Sequence, residues 1–376
     1  MKLFDVYPLF DLTLVKAQGA YVWNDKGEKY LDFYGGHAVI SIGHNHPTWV
    51  NRLQYQLNEG ISFFSNSVKL PIQNELADQL GKVSGYEDYA LFLVNSGAEA
   101  NENAIKIASF HTGRKTIIAF SGAFHGRTAA AVAATDNKKI KPPVNPDDHV
   151  VFLPFNDTAA LDTAFAENEV ACVILEPIQG VHGIYEPTTA FIQYIARKCK
   201  ENGALFIADE IQCGYGRSGK FFAHQWADVQ PDLITTAKGM GNGFPIGGLL
   251  IAPSIQAWHG MLGTTFGGAP LACAAALAVL EVLEADKLTD NALQLGQYLM
   301  NELRELPGVV EVRGKGLMIG IEMSYPIKDL RNKMMNEFHI LTGNSSHPNT
   351  IRLLPTLNIN KEQADEVLAA FRALCR

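Results

Sequence analysis

Apolar and polar residues alternate along the middle of this chain in two rhythms. Short apolar runs recur at Ala90–Val94 (ALFLV), Thr116–Phe120 (TIIAF), Val170–Leu175 (VACVIL), 204–208 (ALFIA), Leu233–Thr236 (LITT) and 248–251 (GLLI). Runs this short, rich in aliphatic side chains and bounded by polar turns, predict buried strands. The amphipathic stretches between them, such as 98–110 and 190–202, carry helical spacing, and Asn202-Gly203 supplies a helix stop. Alternation of this kind predicts an α/β fold whose large sheet is mainly parallel, with helices on its faces. Near residue 270 the rhythm changes to long helices over 271–285 and 291–306. The first of these starts at Pro270, a residue suited to a first helical turn. A small αβ region follows through GKGLMIGIEM, and a last helix covers Lys361–Leu374. The expected organisation is a large domain over 46–270 and a smaller one over 271–376, with the segment 1–45 packed against the smaller domain.

Composition narrows the class. The 376 residues carry 31 basic and 39 acidic side chains, a net charge of −8, so no cationic footprint for nucleic acid or an anionic membrane is present. A hydrophobic fraction of 47% excludes a disordered chain. Five cysteines with no CxxC pair argue against a disulfide framework and suit a reducing cytoplasm. Asp5, Pro8 and Asp11 interrupt the opening residues, which therefore lack the apolar stretch of a signal peptide. The longest apolar run, 271–283, is too short to span a bilayer.

Ligands of open parallel sheets sit beyond the carboxyl ends of the strands, so the residues that follow each run are the candidates. ALFLV leads into Asn95-Ser96-Gly97-Ala98 and a helix, and TIIAF into SGAFHGRT. VACVIL leads into Glu176-Pro177, ALFIA into Asp209-Glu210, and LITT into Ala237-Lys238-Gly239. The turn at Ser96 opens a helix N-terminus whose free N–H groups suit a phosphate, although an ordinary cap by Asn95 or Ser96 reads the same way. Asp209 at a strand end is either a counter-ion to a buried cation or a turn cap. Lys238 lies in the Gly-rich AKGMGNGFPIGG with no charged neighbour. It is either a surface lysine or a desolvated, nucleophilic one. Phosphate cradle, acid and lysine together are what pyridoxal 5'-phosphate requires: donors for its phosphate, an anion for its ring nitrogen and an amine for its aldehyde.

Two motifs are misleading. Gly214–Gly219 matches GxGxxG and nearly a Walker loop, but Phe221 stands where a magnesium-binding Ser or Thr belongs. No long helix follows the glycines, and Asp232 precedes its strand instead of ending it, which argues against a dinucleotide. His44-Asn45-His46 has no carboxylate nearby in sequence and reads as a structural turn. No GxSxG elbow or HExxH helix points to a hydrolase.

The motifs YVWNDKGEKYLDFYGG, IGHNHP, FLVNSGAEANENAIKIA, FSGAFHGRT, VILEPIQG, IADEIQCGYGRSG, TTAKGMGNGFPIG, GTTFGGAPLAC, VRGKGLMIGIEM and IRLLPTLNI run through nearly the whole chain. In order and spacing they resemble the class III (subgroup II) aminotransferases, most of all the acetylornithine and ornithine aminotransferases. The resemblance implies the pyridoxal-phosphate transferase fold of type I. It implies that Lys238 carries the cofactor and moves the proton, Asp209 pairs with the pyridinium nitrogen and Gln212 meets the ring hydroxyl. Phe124 and Ile211 would flank the ring, and Gly97 and Ala98 would bind the phosphate. Thr265 would reach the phosphate of a partner subunit, making a homodimer with shared sites. Arg127, helped by Tyr7, would take the substrate α-carboxylate and Arg352 the carboxylate of the 2-oxoglutarate/glutamate pair. Thr264 and Glu176 are further substrate-binding candidates, and no metal is implied.

Two departures stand out. Val181 replaces the Glu that usually follows EPIQG and pairs with the second arginine, with His182 next to it. His37 stands in DFYGGHAV where an apolar residue or Tyr is usual. The expected reaction moves the δ-amino group of an N2-acylornithine, acetyl or succinyl, to 2-oxoglutarate, a step of arginine biosynthesis. The alternatives are ornithine δ-aminotransferase or another ω-amino-acid transaminase, an aminomutase of the glutamate-1-semialdehyde type, and a cofactor-binding protein without turnover. His37 or His182 is a candidate contact to the acyl group.

Overall fold

The computed structural model describes residues 1–375. Three strands, β1 (Leu14–Gln18), β2 (Tyr21–Asn24) and β3 (Lys29–Asp32), open the chain as an antiparallel meander. Then follow the strands of the central sheet: β4 (Ala90–Val94), β5 (Thr116–Phe120), β6 (Val150–Leu153), β7 (Val170–Leu175), β8 (Leu205–Asp209), β9 (Leu233–Thr236) and β10 (Gly247–Ile251). Their order is β4-β10-β9-β8-β7-β5-β6. Every residue of β7, β8 and β9 is buried, as strands covered by helices on both faces must be.

The apolar runs became strands within a residue of their expected ends, and the helices Gly97–Thr112 and Thr189–Asn202 lie where the spacing placed them. Three features were not anticipated. β10 runs antiparallel to both neighbours, β4 and β9, so the sheet is mixed at one side. β6, whose VVFL run is only half-buried, completes the other edge beside β5. The second long helix starts at Leu288, one turn earlier than the sequence suggested.

The C-terminal third adds β11 (Val309–Lys315), β12 (Met318–Met323), β13 (Ile340–Leu341), β14 (Gly343–Asn344) and β15 (Thr350–Leu353). Four of these form an antiparallel sheet in the order β11-β12-β15-β14. β13 instead pairs in parallel with β3, which ties the opening segment to the C-terminal region. The alanine-rich helix Pro270–Ala285 joins the two parts. Twelve of its residues are buried, and its small side chains let the helices Pro47–Glu59 and Pro71–Ser84 pack closely against it. All five cysteines are buried and unpaired.

Candidate active site

The carboxyl ends of β4, β5, β7, β8 and β9 surround a cavity of about 430 Å³. Local sequence builds each wall. Ser96 caps the helix Gly97–Thr112 by accepting the Glu99 N–H at 3.2 Å, while the Glu99 carboxylate accepts the Asn95 N–H at 3.1 Å. The Gly97 and Ala98 N–H groups have no backbone acceptor among the described residues and border the cavity at the positive end of the helix. A Cβ at Gly97 would lie 2.8 Å from the Ile211 side chain, so only glycine lets Ile211 close over this turn. The helix start is thus both an ordinary cap and a free anion cradle.

Asp209 ends β8 and is 3% exposed. Its Oδ2 accepts from Asn101 Nδ2 and lies against His125 Nδ1, both at 2.7 Å, while Oδ1 accepts the Ile211 N–H at 3.1 Å. Burial alone would lower the His125 pKa, but the hydrogen bond and charge of Asp209 outweigh it and raise the imidazole. Asn101 and His125 were not among the expected site residues. His125 lay in view within SGAFHGRT, and Asn101 sits one helical turn beyond Gly97 on the same face.

Lys238 lies two residues past β9 with φ of 43°, a left-handed conformation that a lysine adopts only at a cost. The neighbouring turn is pinned from outside: Ser41 Oγ donates to the Gly239 carbonyl at 2.7 Å, and Asn242 Oδ1 accepts the Ser41 N–H at 2.9 Å. Burial pulls the Lys238 amine below its ordinary pKa, against the opposing pull of Asp209 and Glu176. Glu176 accepts the Phe124 N–H at 2.9 Å and the Gly180 N–H at 3.3 Å, and burial pushes its carboxyl up to about 7.

Gln212 Nε2 donates to the His37 carbonyl at 3.1 Å, while its Oε1 is buried without a partner. Phe124, Ile211 and Val181 add apolar wall, and the exposed Arg127 stands at the mouth. Arg352 on β15 is 3% exposed and donates to the Gly180 carbonyl at 2.9 Å and to the Asn344 carbonyl. No carboxylate pairs with it among the described residues, and the Tyr34 ring lies 5.9 Å from its guanidinium carbon. The His37 ring and the Tyr34 hydroxyl are in short contact. Burial, then Arg352 and Lys238, lower its imidazole to about 4. His182 follows the lining residue Val181 but does not itself line the cavity; it lies over Gly122 with its Nδ1 3.4 Å from Ser346 Oγ.

Four expected residues do not line this cavity: Arg352, which is buried behind Gly180, and Tyr7, Thr265 and Thr264. Tyr7 is 74% exposed on the opening segment. Thr265 is exposed, and Thr264 bonds Asn95 Nδ2 at 3.3 Å and the Gly267 N–H at 3.1 Å on another face. His44 finds the carboxylate its sequence neighbours lacked: its Nε2 is 2.9 Å from Asp32 Oδ2, and no metal-binding cluster occurs among the described residues. The Gly214–Gly219 loop lies under the C-terminal part, where buried Arg217 donates to the carbonyls of Leu317 (3.0 Å) and Pro355 (2.6 Å).

The cavity fits pyridoxal phosphate. Free helix N–H groups suit the phosphate, the unpaired Gln212 Oε1 suits a ring hydroxyl donor, buried Asp209 suits a ring N–H, and Lys238 suits the aldehyde. Similar proteins agree with this chemistry. Residues 5–374 match the family described as Aminotransferase class-III. An acetylornithine aminotransferase from Nitrosomonas europaea is 38% identical, covering 99% of this chain and 97% of that protein. One from Methanosarcina acetivorans is 40% identical over 95% of this chain and 90% of its own length. The crystal structure of the ornithine aminotransferase from Toxoplasma gondii superposes with a TM-score of 0.92 at 28% identity, covering 99% of this chain and 93% of that one. With strand-end lysine, buried aspartate and helix cradle in one cavity, and a family match along almost its entire length, this chain belongs to the class III aminotransferases.

Proposed function

We propose that this enzyme transfers the δ-amino group of an N2-acylornithine, acetyl or succinyl, to 2-oxoglutarate, using pyridoxal phosphate. The observation that carries the reading is the cavity itself, in which Lys238, Asp209 and the Gly97-Ala98 cradle meet Arg127, an arginine with no carboxylate partner among the described residues. The names of the relatives favour an acylated donor.

When bound, pyridoxal phosphate supplies an electrophilic carbonyl and a ring that withdraws electrons from the donor carbon. Lys238 Nζ is the base that takes the proton from that carbon and returns it. Its lowered pKa serves this task, because the amine is closer to neutral at working pH. Asp209 would face the ring nitrogen, and Asn101 and His125 hold its carboxylate in one orientation. Gly97 and Ala98 would hold the phosphate through their N–H groups. Arg127 at the mouth and Arg352, buried beside Gly180, would each take a carboxylate in two-point fashion, which fixes orientation as well as charge. The apolar walls exclude water from the reacting carbon.

The assembly proposed is a homodimer in which Thr265 completes the partner's phosphate site. Phe63, Phe64 and Phe266 support it: they are 42%, 49% and 60% exposed beside Thr265, with the Phe63 and Phe266 rings 5.2 Å apart. A reducing cytoplasmic setting suits the five free thiols.

The test is glutamate formation from 2-oxoglutarate with N2-acetylornithine, N2-succinylornithine, ornithine and 4-aminobutyrate supplied singly. An acylornithine is expected to be the fastest donor, and the faster acyl group names the substrate. Faster turnover of ornithine or 4-aminobutyrate would overturn the donor assignment and leave the family intact.

A further inference from the structure

A second cavity, of about 350 Å³, lies between the opening segment and the C-terminal region. Leu9, Phe10, Leu12 and Leu14 form its outer wall, with Met335 and Leu341 facing them. Its polar groups are few: Arg331, Thr342 and Tyr34.

Arg331 sits on the helix Lys328–Phe338. Its Nη2 donates to the Thr342 carbonyl at 2.7 Å, its guanidinium carbon lies 5.6 Å from the Phe10 ring, and no carboxylate pairs with it among the described residues. Its Nε and the Thr342 hydroxyl are both buried without a hydrogen-bond partner. Leu9, Phe10 and Leu14 are themselves exposed, so the groove is open to solvent on that side, and a buried guanidinium nitrogen and hydroxyl at its base with no partner are costly to keep unless a ligand completes them. The cost shows in Arg331 itself, whose pKa burial depresses.

We propose that this cavity binds a small organic monocarboxylate with a short unbranched apolar tail. The carboxylate meets Arg331 and Thr342, and the tail lies against Leu9, Leu12 and Leu341. The volume falls at the lower end of the range of small-ligand sites, about 300–1,000 Å³. One charged group in an apolar chamber selects an amphipathic anion over a dicarboxylate, whose second charge would have no partner.

Tyr34 connects the chamber to two residues near the active site, His37 and Arg352. Tyr34 lines the second cavity, its hydroxyl bonds His37, and its ring lies beside Arg352. Gly343 fixes that ring, since a Cβ there would come within 2.5 Å of it. Arg331 is near enough to Arg352 to lower its pKa. An anion on Arg331 therefore opposes a second anion on Arg352, and linkage requires each to weaken the other. This coupling, unlike the site, rests on the proposed role of Arg352.

The experiment is calorimetric titration of hexanoate, with hexan-1-ol as control, into the full-length cofactor-loaded enzyme. One hexanoate per chain is expected in the wild type and in Arg352→Met, with at least tenfold weaker binding of the alcohol. Binding should weaken at least tenfold in Arg331→Met and in Leu12→Trp, which fills the chamber and leaves the cation in place. Absence of binding to the wild type, its survival in both chamber variants, or its loss in Arg352→Met would overturn the site. Where the site stands, hexanoate should raise the KM for 2-oxoglutarate several-fold in the wild type and leave it unchanged in Arg331→Met. Failure of that readout alone removes the coupling, or the role of Arg352, and leaves the site.

Discussion

His125 Nδ1 lies 2.7 Å from Asp209 Oδ2, with both side chains almost wholly removed from water. The imidazole and the Asn101 amide together fix the carboxylate that faces the candidate ring position. Asp209→Asn should lower the rate of glutamate formation by about 10²–10³-fold, as loss of a preorganised charge does elsewhere. His125→Phe should cost less, about tenfold, because Asn101 still holds the carboxylate. Steady-state rates on the two variants, with bound cofactor quantified in each, check the order.

Lys238→Ala should abolish turnover, a loss of about 10²–10⁴-fold or more, while leaving the fold intact. In the proposed reaction its amine carries the proton at the reacting carbon, and of the other basic side chains that line the cavity His125 is engaged with Asp209 and Arg127 is at the mouth. Amine-donor binding measured alongside turnover separates lost chemistry from lost affinity.

Glu176 makes stability depend on pH. Its folded-state pKa, about 7, is higher than that of an unfolded carboxyl near 4.5, so the folded state holds the extra proton between those values. The contribution is therefore fully present below about pH 4.5 and is lost as pH rises through about 7. Glu176→Gln should remove this slope and gain about 1–3 kcal/mol relative to the wild type between pH 5 and pH 8. Urea unfolding at those two pH values reads the difference. An equal offset at both would show that the proton is not held there.

His37 has the opposite sign. With its imidazole lowered to about 4, it stays neutral through the neutral range, and its contribution to stability declines only as pH falls from about 6.5 towards 4. Its ring resonances should not shift between pH 8 and about pH 5. The acyl preference should change in His37→Ala if this ring meets the acyl group, or in His182→Ala if the His182 ring does. Unchanged donor ratios in both variants would discard the acyl contact.

Arg217→Ala should destabilise the protein by about 2–5 kcal/mol, since it leaves the buried carbonyls of Leu317 and Pro355 without donors. Activity per folded molecule should fall as well, because the same side chain bridges the loop after β8 to the C-terminal part.

Much of this protein was written in local pattern. Strand runs such as VACVIL and ALFIA needed only their apolar content to be placed, because a strand covered on both faces has few alternatives. Lys238, Asp209 and Gly97 were legible because ligands of such sheets gather where strands end, and strand ends are a local property. What surrounds them was not. Asn101 and His125 stand 108 and 84 positions from Asp209, and no periodicity reports a meeting at that separation. The antiparallel insertion of β10 was equally hidden, because an apolar run looks the same in either direction. Tyr34 between Arg352 and Arg331 belongs to the same class. Its position follows from β3 pairing with β13 across the length of the chain, a choice made by packing and hydrogen-bond satisfaction once distant segments had met.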